Sequence, residues 1–243
     1  MSKENPALSI VIPAKNEEAN ILPLVTEIHQ ALEDKIDFEI IYVNGGSTDK
    51  TRDKLIEARE KFPRLRFVSH KKSCGQSRAI VTGVSIAAAP FVATLDGDGQ
   101  NDPADLFVLF QTLQEQADKE KVLMAGWRTK RQDVLSKRLT SKFGNAIRKS
   151  LLQDDTPDTG CGTKIFPKAA FMEMPHFDHM HRYLPALMKR QGGRTISVPV
   201  NHRPRERGVS NYGFWDRLWV GLSDIFGVMW LMHRCNKSEI ISE

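Results

Sequence analysis

A doubly wound α/β domain on a mostly parallel sheet is the fold class this sequence predicts, and three observations predict it. Apolar runs rich in β-formers alternate with segments of helical apolar spacing, giving β-α-β-α-β-α-β from Ala7 to Leu95. Strict alternation of this kind builds a parallel sheet covered by helices on both faces. Polar loops follow three of the strands, at Pro13 to Glu17, Asn44 to Asp49 and Asp96 to Gln100. Such sheets bind ligands beyond the carboxyl ends of their strands, and all three loops fall there. Finally, 243 residues with 40% hydrophobic content suffice for a substantial core.

The elements follow in order. Ala7 to Pro13 reads as a first buried strand, and Asn16 is expected to cap a helix from about Glu18 to Leu32, whose apolar face is Ile21, Leu24, Val25, Ile28 and Leu32. Phe38 to Val43 is a second strand. Asn44-Gly45-Gly46-Ser47-Thr48-Asp49 turns into a helix ending near Lys61. Leu65 to Ser69 is a third strand, followed by a polar loop and a helix of small residues from about Arg78 to Ala89. Phe91 to Leu95 is a fourth strand. Asp102 and Pro103 suit the cap and first position of the next helix. Lys121 to Ala125 forms a strand that delivers Gly126-Trp127-Arg128, and Arg131 to Lys149 is basic and helical. Thr156 to Phe166 is irregular up to Thr163, and Thr195 to Val200 is a last strand.

The last segment differs in character. From Phe214 to Met232 it is apolar and aromatic, with Trp215, Trp219 and Trp230, three of the four tryptophans. Asp216, Arg217 and Asp224 interrupt it, so the expectation is a helix lying in a membrane interface, not one that spans. The chain is accordingly divided into a main domain, 1–213, and a Trp-rich interfacial segment, 214–243.

Charge narrows the partners. The formal net charge is +5, with basic residues concentrated in 128–149 and 182–207. That distribution favours anionic ligands or an anionic membrane surface. No basic helix or aromatic ladder of a nucleic-acid module is present, so nucleic acid is not expected. Cys74, Cys161 and Cys235 are odd in number and widely spaced, which fits reduced thiols in the cytoplasm. No apolar signal region opens the sequence, and no run approaches the roughly 18 apolar residues of a spanning helix. The expected location is therefore cytoplasmic and peripheral on the inner face of a membrane. No Gly-x-Gly-x-x-Gly follows the first strand and no Walker motif occurs, which argues against dinucleotide and P-loop sites.

The chemistry concentrates in Asp96-Gly97-Asp98-Gly99-Gln100. Alternate side chains at a strand end point the same way, so Asp96 and Asp98 converge. Converging carboxylates repel unless a cation lies between them, and hard oxygen donors suit Mg2+ or Mn2+. The intervening glycine lets a diphosphate approach the backbone.

Together the loops resemble the inverting glycosyltransferases of family 2. The likeness is to the polyprenyl-phosphate sugar transferase branch, which includes dolichol-phosphate mannose synthase and the bacterial undecaprenyl-phosphate glycosyltransferases. It runs from Leu8 to about Arg234. It rests on Ile12-Pro13-Ala14-Lys15-Asn16-Glu17, Val43 to Asp49, Asp96 to Gln100, Asp158-Thr159-Gly160-Cys161-Gly162, and His202-Arg203-Pro204-Arg205 through Gly208-Val209-Ser210-Asn211-Tyr212. The resemblance implies a nucleotide-diphospho-sugar transferase (GT-A-like) fold with a mixed sheet. It implies that Pro13, Lys15, Glu17 and Asn44 hold the nucleoside, that Asp96 and Asp98 bind the metal and diphosphate, and that Gln100 touches the metal or the sugar phosphate. Arg128 and Arg205 would hold phosphates, and Lys137 or Arg138 would contact the acceptor phosphate. The donor would be GDP-mannose or a UDP-sugar and the acceptor a polyprenyl phosphate, and a separate small transmembrane partner is compatible with this scheme. Two departures stand out: Gly45, where relatives often carry a second acid, and Asn211, where they often carry Lys. The alternatives are a same-fold transferase with a soluble or glycan acceptor, and a non-catalytic nucleotide-sugar-binding protein.

Overall fold

The computed structural model describes residues 5–129, 151–152, 156–204 and 214–234, with side chains in the last stretch from residue 223 onward. Seven strands form one mixed sheet: β1 (Leu8–Ala14), β2 (Phe38–Asn44), β3 (Leu65–Ser69), β4 (Phe91–Thr94), β5 (Val122–Arg128), β6 (Lys164–Pro167) and β7 (Arg194–Val200). Their spatial order is β3-β2-β1-β4-β6-β5-β7. The pairs β1/β2, β1/β4, β2/β3 and β5/β7 are parallel, whereas β6 runs antiparallel to both β4 and β5. The sheet is thus mostly parallel, as the alternation predicts, and mixed, as the resemblance implies.

The reversal of β6 has a consequence for the site. Lys164 pairs with Thr94 of β4 and with Ala125 of β5. Because β6 is antiparallel, its first residue lies where its neighbours end. The segment leading into it, 156–163, is thereby delivered to the same edge as the polar loops after β1, β2 and β4.

Among the described residues six helices flank the sheet, α1 (Ile21–Leu32), α2 (Thr51–Lys61), α3 (Gly75–Ile86), α4 (Asp105–Gln114), α5 (Lys168–Met172) and α6 (Leu184–Arg190), and α7 (Phe214–His233) packs on α6. The period of two along β1 sorts its side chains into two layers. Leu8, Ile10 and Ile12 pack with the apolar faces of α1 and α4, while Val11 packs with α3, α6 and Phe166 of β6. α3 lies unusually close to the sheet. A Cβ at Gly83 would fall 2.3 Å from Val11 Cγ1, so glycine there lets the helix rest on β1 and β2.

Several boundaries differ from the sequence expectation. α1 begins at Ile21, and Asn16 does not cap it. Asn16 is left-handed, with φ 57°, and its Oδ1 accepts from Thr48 N at 2.8 Å, tying its loop to the one after β2. α3 starts and stops about one turn early. Its end is set by Ala88 and Ala89, whose amides donate to Glu39 Oε1 (2.6 Å) and Ser9 Oγ (3.0 Å), and by Pro90, which disfavours helix in the residue before it. Asp102 and Pro103 form a turn ahead of α4, where Asp102 Oδ1 accepts from Ala104 N at 3.1 Å. The helix expected over 131–149 lies outside the described residues.

α7 packs through Val228 against Leu152, Tyr183 and Ala186, with Ile225, Met229 and Met232 partly covered. Arg190 Nε donates to Leu231 O at 2.9 Å, and His179 Nδ1 lies 3.1 Å from Asp224 Oδ2. Phe226 and Trp230 remain 66% and 60% exposed on the helix. No helix among the described residues is long and apolar enough to cross a membrane.

Candidate active site

The edge at the carboxyl ends of β1, β2 and β4 gathers Pro13, Lys15, Glu17, Asn44, Asp96, Asp98 and Gln100. Asp96 stands two residues beyond β4. Gln76 Nε2, in the first turn of α3, donates to its Oδ1 at 2.9 Å, and its own amide donates to Asn101 Oδ1 at 3.3 Å. Gly97 sits against the end of β1, where a Cβ would meet Pro13 O at 2.9 Å. Asp98 Oδ1 accepts from Gln100 N at 3.2 Å. Gly162, arriving from the segment before β6, is pressed on Asp96: a Cβ there would lie 2.2 Å from Asp96 Oδ2. Burial raises the Asp96 carboxyl above its ordinary range, and the charge of Asp98 adds to the effect. Among the described residues no lysine or arginine forms an ion pair with Asp96. A carboxylate held in place, desolvated and repelled by a second one is a suitable ligand for a hard divalent cation. The described residues offer no group of three His, Cys, Asp or Glu. Mg2+ or Mn2+ here would rely on Asp96 and Asp98 for protein ligands and on water or diphosphate for the rest.

The segment before β6 builds the floor. Arg128, the last residue of β5, is gripped by Asp158: Nε donates to Oδ2 at 2.7 Å and Nη2 to Oδ1 at 2.9 Å, with both side chains largely buried. Gly160 leaves room for this fork, since a Cβ there would lie 3.3 Å from Arg128 Nη2. The fork uses two of the five guanidinium N–H groups. Lys164 is 3% exposed, and its Nζ donates to Thr159 O at 3.2 Å and to Cys161 O. Burial lowers its pKa, opposed by the charges of Asp96 and Asp158. Burial also raises the Cys161 thiol, so it is a protonated, buried side chain and no nucleophile. Thr94 Oγ1 donates to Gly162 O at 2.7 Å, fastening this loop to β4.

The proposed nucleoside residues lie on the loops after β1 and β2, which are laced together. Asn16 N donates to Ser47 Oγ at 2.9 Å, Glu17 N to Thr51 Oγ1 at 2.9 Å, and Lys50 N to Glu18 Oε2 at 2.9 Å. Pro13 and Glu17 are half-buried and Lys15 is exposed. Glu17 Oε2 accepts from Asn20 Nδ2 at 2.6 Å. Asn44 is buried, its Oδ1 accepting from Ser47 N at 3.0 Å and its Nδ2 donating to Ser69 Oγ at 3.3 Å. Its amide therefore shapes the turn as well as facing this edge. Gly46, at φ +73°, is required: a Cβ would come within 2.7 Å of the Lys72 backbone. Gly45 has ordinary room, its nearest neighbour Ala14 O at 3.4 Å.

Gln100 joins this edge to the segment after β7. Its Nε2 donates to Arg203 O at 3.3 Å, Arg203 N donates back to Gln100 O at 3.0 Å, and Asn101 bridges to His202. Arg203 is held by Glu27 at 2.7 Å and Asp102 at 3.1 Å. Arg205, Lys137 and Arg138 lie outside the described residues.

Three residues of this region escaped the sequence reading. Lys164 carried a signal, because a lysine inside an otherwise apolar strand is almost never buried unless paired. Gln76 carried none: its role comes from α3 starting a turn earlier than its apolar spacing suggests. Asp105 is a buried acid in the first turn of α4. Its carboxylate accepts from Asn201 N at 2.8 Å, and burial pushes it up to about 6. His181 shares a 2.7 Å hydrogen bond between Nδ1 and Ser77 Oγ. Burial first, then Lys164, lowers it to about 3, so it is neutral.

Comparison with known proteins gives the fold and the family. Solved structures similar to the chain include glucosyl-3-phosphoglycerate synthase from Mycobacterium tuberculosis in complex with Mg2+ and uridine diphosphate, with a TM-score of 0.70, 18% identity, and coverage of 96% of this chain and 81% of that one. A mannosyltransferase from Pyrobaculum calidifontis in complex with GDP-mannose and Mn2+ matches with a TM-score of 0.67, 17% identity, and coverage of 97% and 66%. The fold is the GT-A fold of these transferases. Among curated proteins, dodecaprenyl-phosphate galacturonate synthase from Rhizobium johnstonii is 33% identical over 233 residues, 93% of this chain and 67% of that protein. Undecaprenyl-phosphate 4-deoxy-4-formamido-L-arabinose transferase from Edwardsiella ictaluri is 30% identical over 208 residues, 85% of this chain and 63% of that protein. The chain thus spans about two thirds of the length of these relatives. The family model for glycosyl transferase family 2 matches residues 9–175, which include β1 to β6 and both carboxylates of the Asp96–Asp98 loop, and the chain belongs to that family.

Proposed function

We propose that this glycosyltransferase moves a sugar from a nucleotide diphosphate to a polyprenyl phosphate at the cytoplasmic face of a membrane, with inversion at the anomeric carbon. The observation that carries the acceptor assignment is the similarity, over 85% and 93% of the chain, to two proteins named for sugar transfer to polyprenyl phosphates. The site chemistry supports it. A phosphate monoester has its second pKa near ~6, so a lipid phosphate is already mostly dianionic at neutral pH and needs no general base. The task left to the protein is to hold two anionic groups together.

In this reading Asp96 and Asp98 hold Mg2+ or Mn2+, which would neutralise charge on the leaving diphosphate. Gln76, Asn101 and Gly162 keep Asp96 in place. Asp158 fixes the Arg128 fork and leaves three N–H groups for a phosphate. Pro13, Lys15, Glu17 and Asn44 form the nucleoside side, Gln100 lies beside the metal and sugar phosphate, and Arg205 with Lys137 or Arg138 meets the phosphates. The segment 214–243 forms the membrane-interface unit, with Phe226 and Trp230 of α7 as its apolar anchors. Recruitment by a separate transmembrane partner is compatible with this peripheral mode.

A nucleotide-release assay tests the proposal. A panel of UDP- and GDP-sugars is incubated with Mg2+ or Mn2+, with and without undecaprenyl phosphate in detergent. Release that needs both lipid and metal is expected from one donor. Lipid-independent release would favour a soluble acceptor, and nucleotide binding without release would favour a non-catalytic binding protein.

A further inference from the structure

The first turn of α3 makes two side-chain contacts in different directions. Gln76 is exposed, and its Nε2 donates to Asp96 Oδ1 at 2.9 Å. Among the described residues no other side chain donates to that carboxylate. The next residue, Ser77, is 3% exposed and meets His181 twice. Its Oγ lies 2.7 Å from His181 Nδ1 and accepts from His181 N at 3.3 Å. This helix end has little else to hold it. Cys74 makes no side-chain capping bond, and Gly75 opens the helix at φ +80°. Uncapped helix ends fray, and their first N–H groups lack partners within the helix. His181, by contrast, stands on a firm base. It lies in the short turn Met180–Arg182, where Met180 is buried in one cluster with Ile80 and Val84 of α3. On either side of that turn, His179 Nδ1 lies 3.1 Å from Asp224 of α7, and Tyr183 packs with Val228.

We propose that His181 is a positioning residue of the site: through Ser77 it holds the uncapped first turn of α3 in the place from which Gln76 orients Asp96. The inference rests on the metal role given above to Asp96. A ligating carboxylate is aimed by its outer hydrogen bonds, and loss of such a partner typically costs about 10–100-fold in metal affinity or activity. Gln76 is that partner here, and a donor on a frayed turn would aim nothing. His181 is neutral, since burial and the Lys164 charge lower its pKa, so it acts by its hydrogen bond and not by its charge.

Mn2+ titration followed by electron paramagnetic resonance, in the presence of UDP and of GDP, tests this. Gln76→Leu removes the donor to Asp96 and should weaken Mn2+ binding about tenfold, the lower end of the range for outer hydrogen-bond partners. His181→Leu changes no charge and should weaken it by a similar factor. Ser77→Ala breaks the same contact by deleting one oxygen, should match His181→Leu, and serves if that variant does not fold. His181→Asn keeps a hydrogen-bonding amide near the Nδ1 position and should recover most of the loss. The double variants separate positioning from general loosening. If His181 works through Gln76, adding His181→Leu or Ser77→Ala to Gln76→Leu weakens binding no further. Additive losses would overturn the inference, because His181 would then act by another route. Wild-type affinity in Gln76→Leu or in Ser77→Ala would overturn it too, as would a His181→Asn chain that binds Mn2+ as weakly as His181→Leu. No Mn2+ bound by wild type with either nucleotide would instead remove the metal reading of Asp96, and this inference with it.

Discussion

Asp98 and Asp105 are both acids at the carboxyl edge, yet they do different work. Asp98→Ala would remove one of the two proposed metal ligands and is expected to abolish lipid-dependent nucleotide release while leaving the melting temperature within a few degrees of wild type, because a half-buried loop position outside the core contributes little to stability. Asp105 is structural. Its carboxyl titrates at about 6 in the fold against 3.8 ordinarily. A raised carboxyl pKa means that the folded state holds the proton more tightly. The stabilisation is fully present below about pH 3.8 and is lost as pH rises through about 6. Asp105→Asn should therefore be more stable than wild type at pH 7 to 8, with the advantage vanishing near pH 4, as denaturant midpoints across that range would show. The Asn44-Gly45 departure is also decided at this scale. Gly45 has neither a left-handed backbone nor crowded neighbours. Gly45→Asp is accordingly expected to fold with unchanged stability and to lower the donor KM several-fold. An unchanged KM would show that this chain does not use a carboxylate there.

At the scale of elements, glycines separate packing from chemistry. Gly83→Ala drives a methyl into Val11 at 2.3 Å in the core between α3 and β1. Overpacking of this kind costs about 1–3 kcal/mol, with turnover per folded molecule unchanged. Gly162→Ala pushes instead on the Asp96 carboxylate at 2.2 Å. It should lose most turnover with a smaller fall in stability, and thermal melts paired with single-donor kinetics distinguish the two cases. α7 belongs to this scale too. Phe226→Glu with Trp230→Glu replaces exposed side chains, so the fold should persist while co-sedimentation with anionic phospholipid vesicles falls. Co-sedimentation equal to wild type would remove the interfacial role of the helix. Apolar spacing made α1 legible to within a turn, and the end of α2 at Lys61 was legible too. What stayed illegible was set by tertiary hydrogen bonds: Asn16 reaching across to Thr48, and Ala88 and Ala89 donating to Glu39 and Ser9. Such partners lie far along the chain, and no local spacing announces them.

For the molecule as a whole, one reversed strand explains why the site is richer than its sequence signature. The alternation from Ala7 to Leu95 reads directly as parallel winding, and the carboxyl-edge rule then places Pro13, Asn44, Asp96 and Asp98 together. It does not reveal that β6 enters antiparallel between β4 and β5, carrying Asp158, Gly160, Gly162 and Lys164 to the same edge. Strand direction depends on pairing, which a short apolar run such as Lys164 to Pro167 does not encode. The central claim concerns the whole molecule: donor, metal and lipid phosphate meet at this edge, and the sugar leaves on the lipid. Mass spectrometry of the organic extract, after incubation with the active nucleotide sugar and undecaprenyl phosphate, tests it most directly. The account predicts a lipid product heavier by one glycosyl residue and carrying a single phosphate, formed by wild type and absent with Asp98→Ala. Nucleotide release with the lipid mass unchanged, or a product carrying two phosphates, would contradict it.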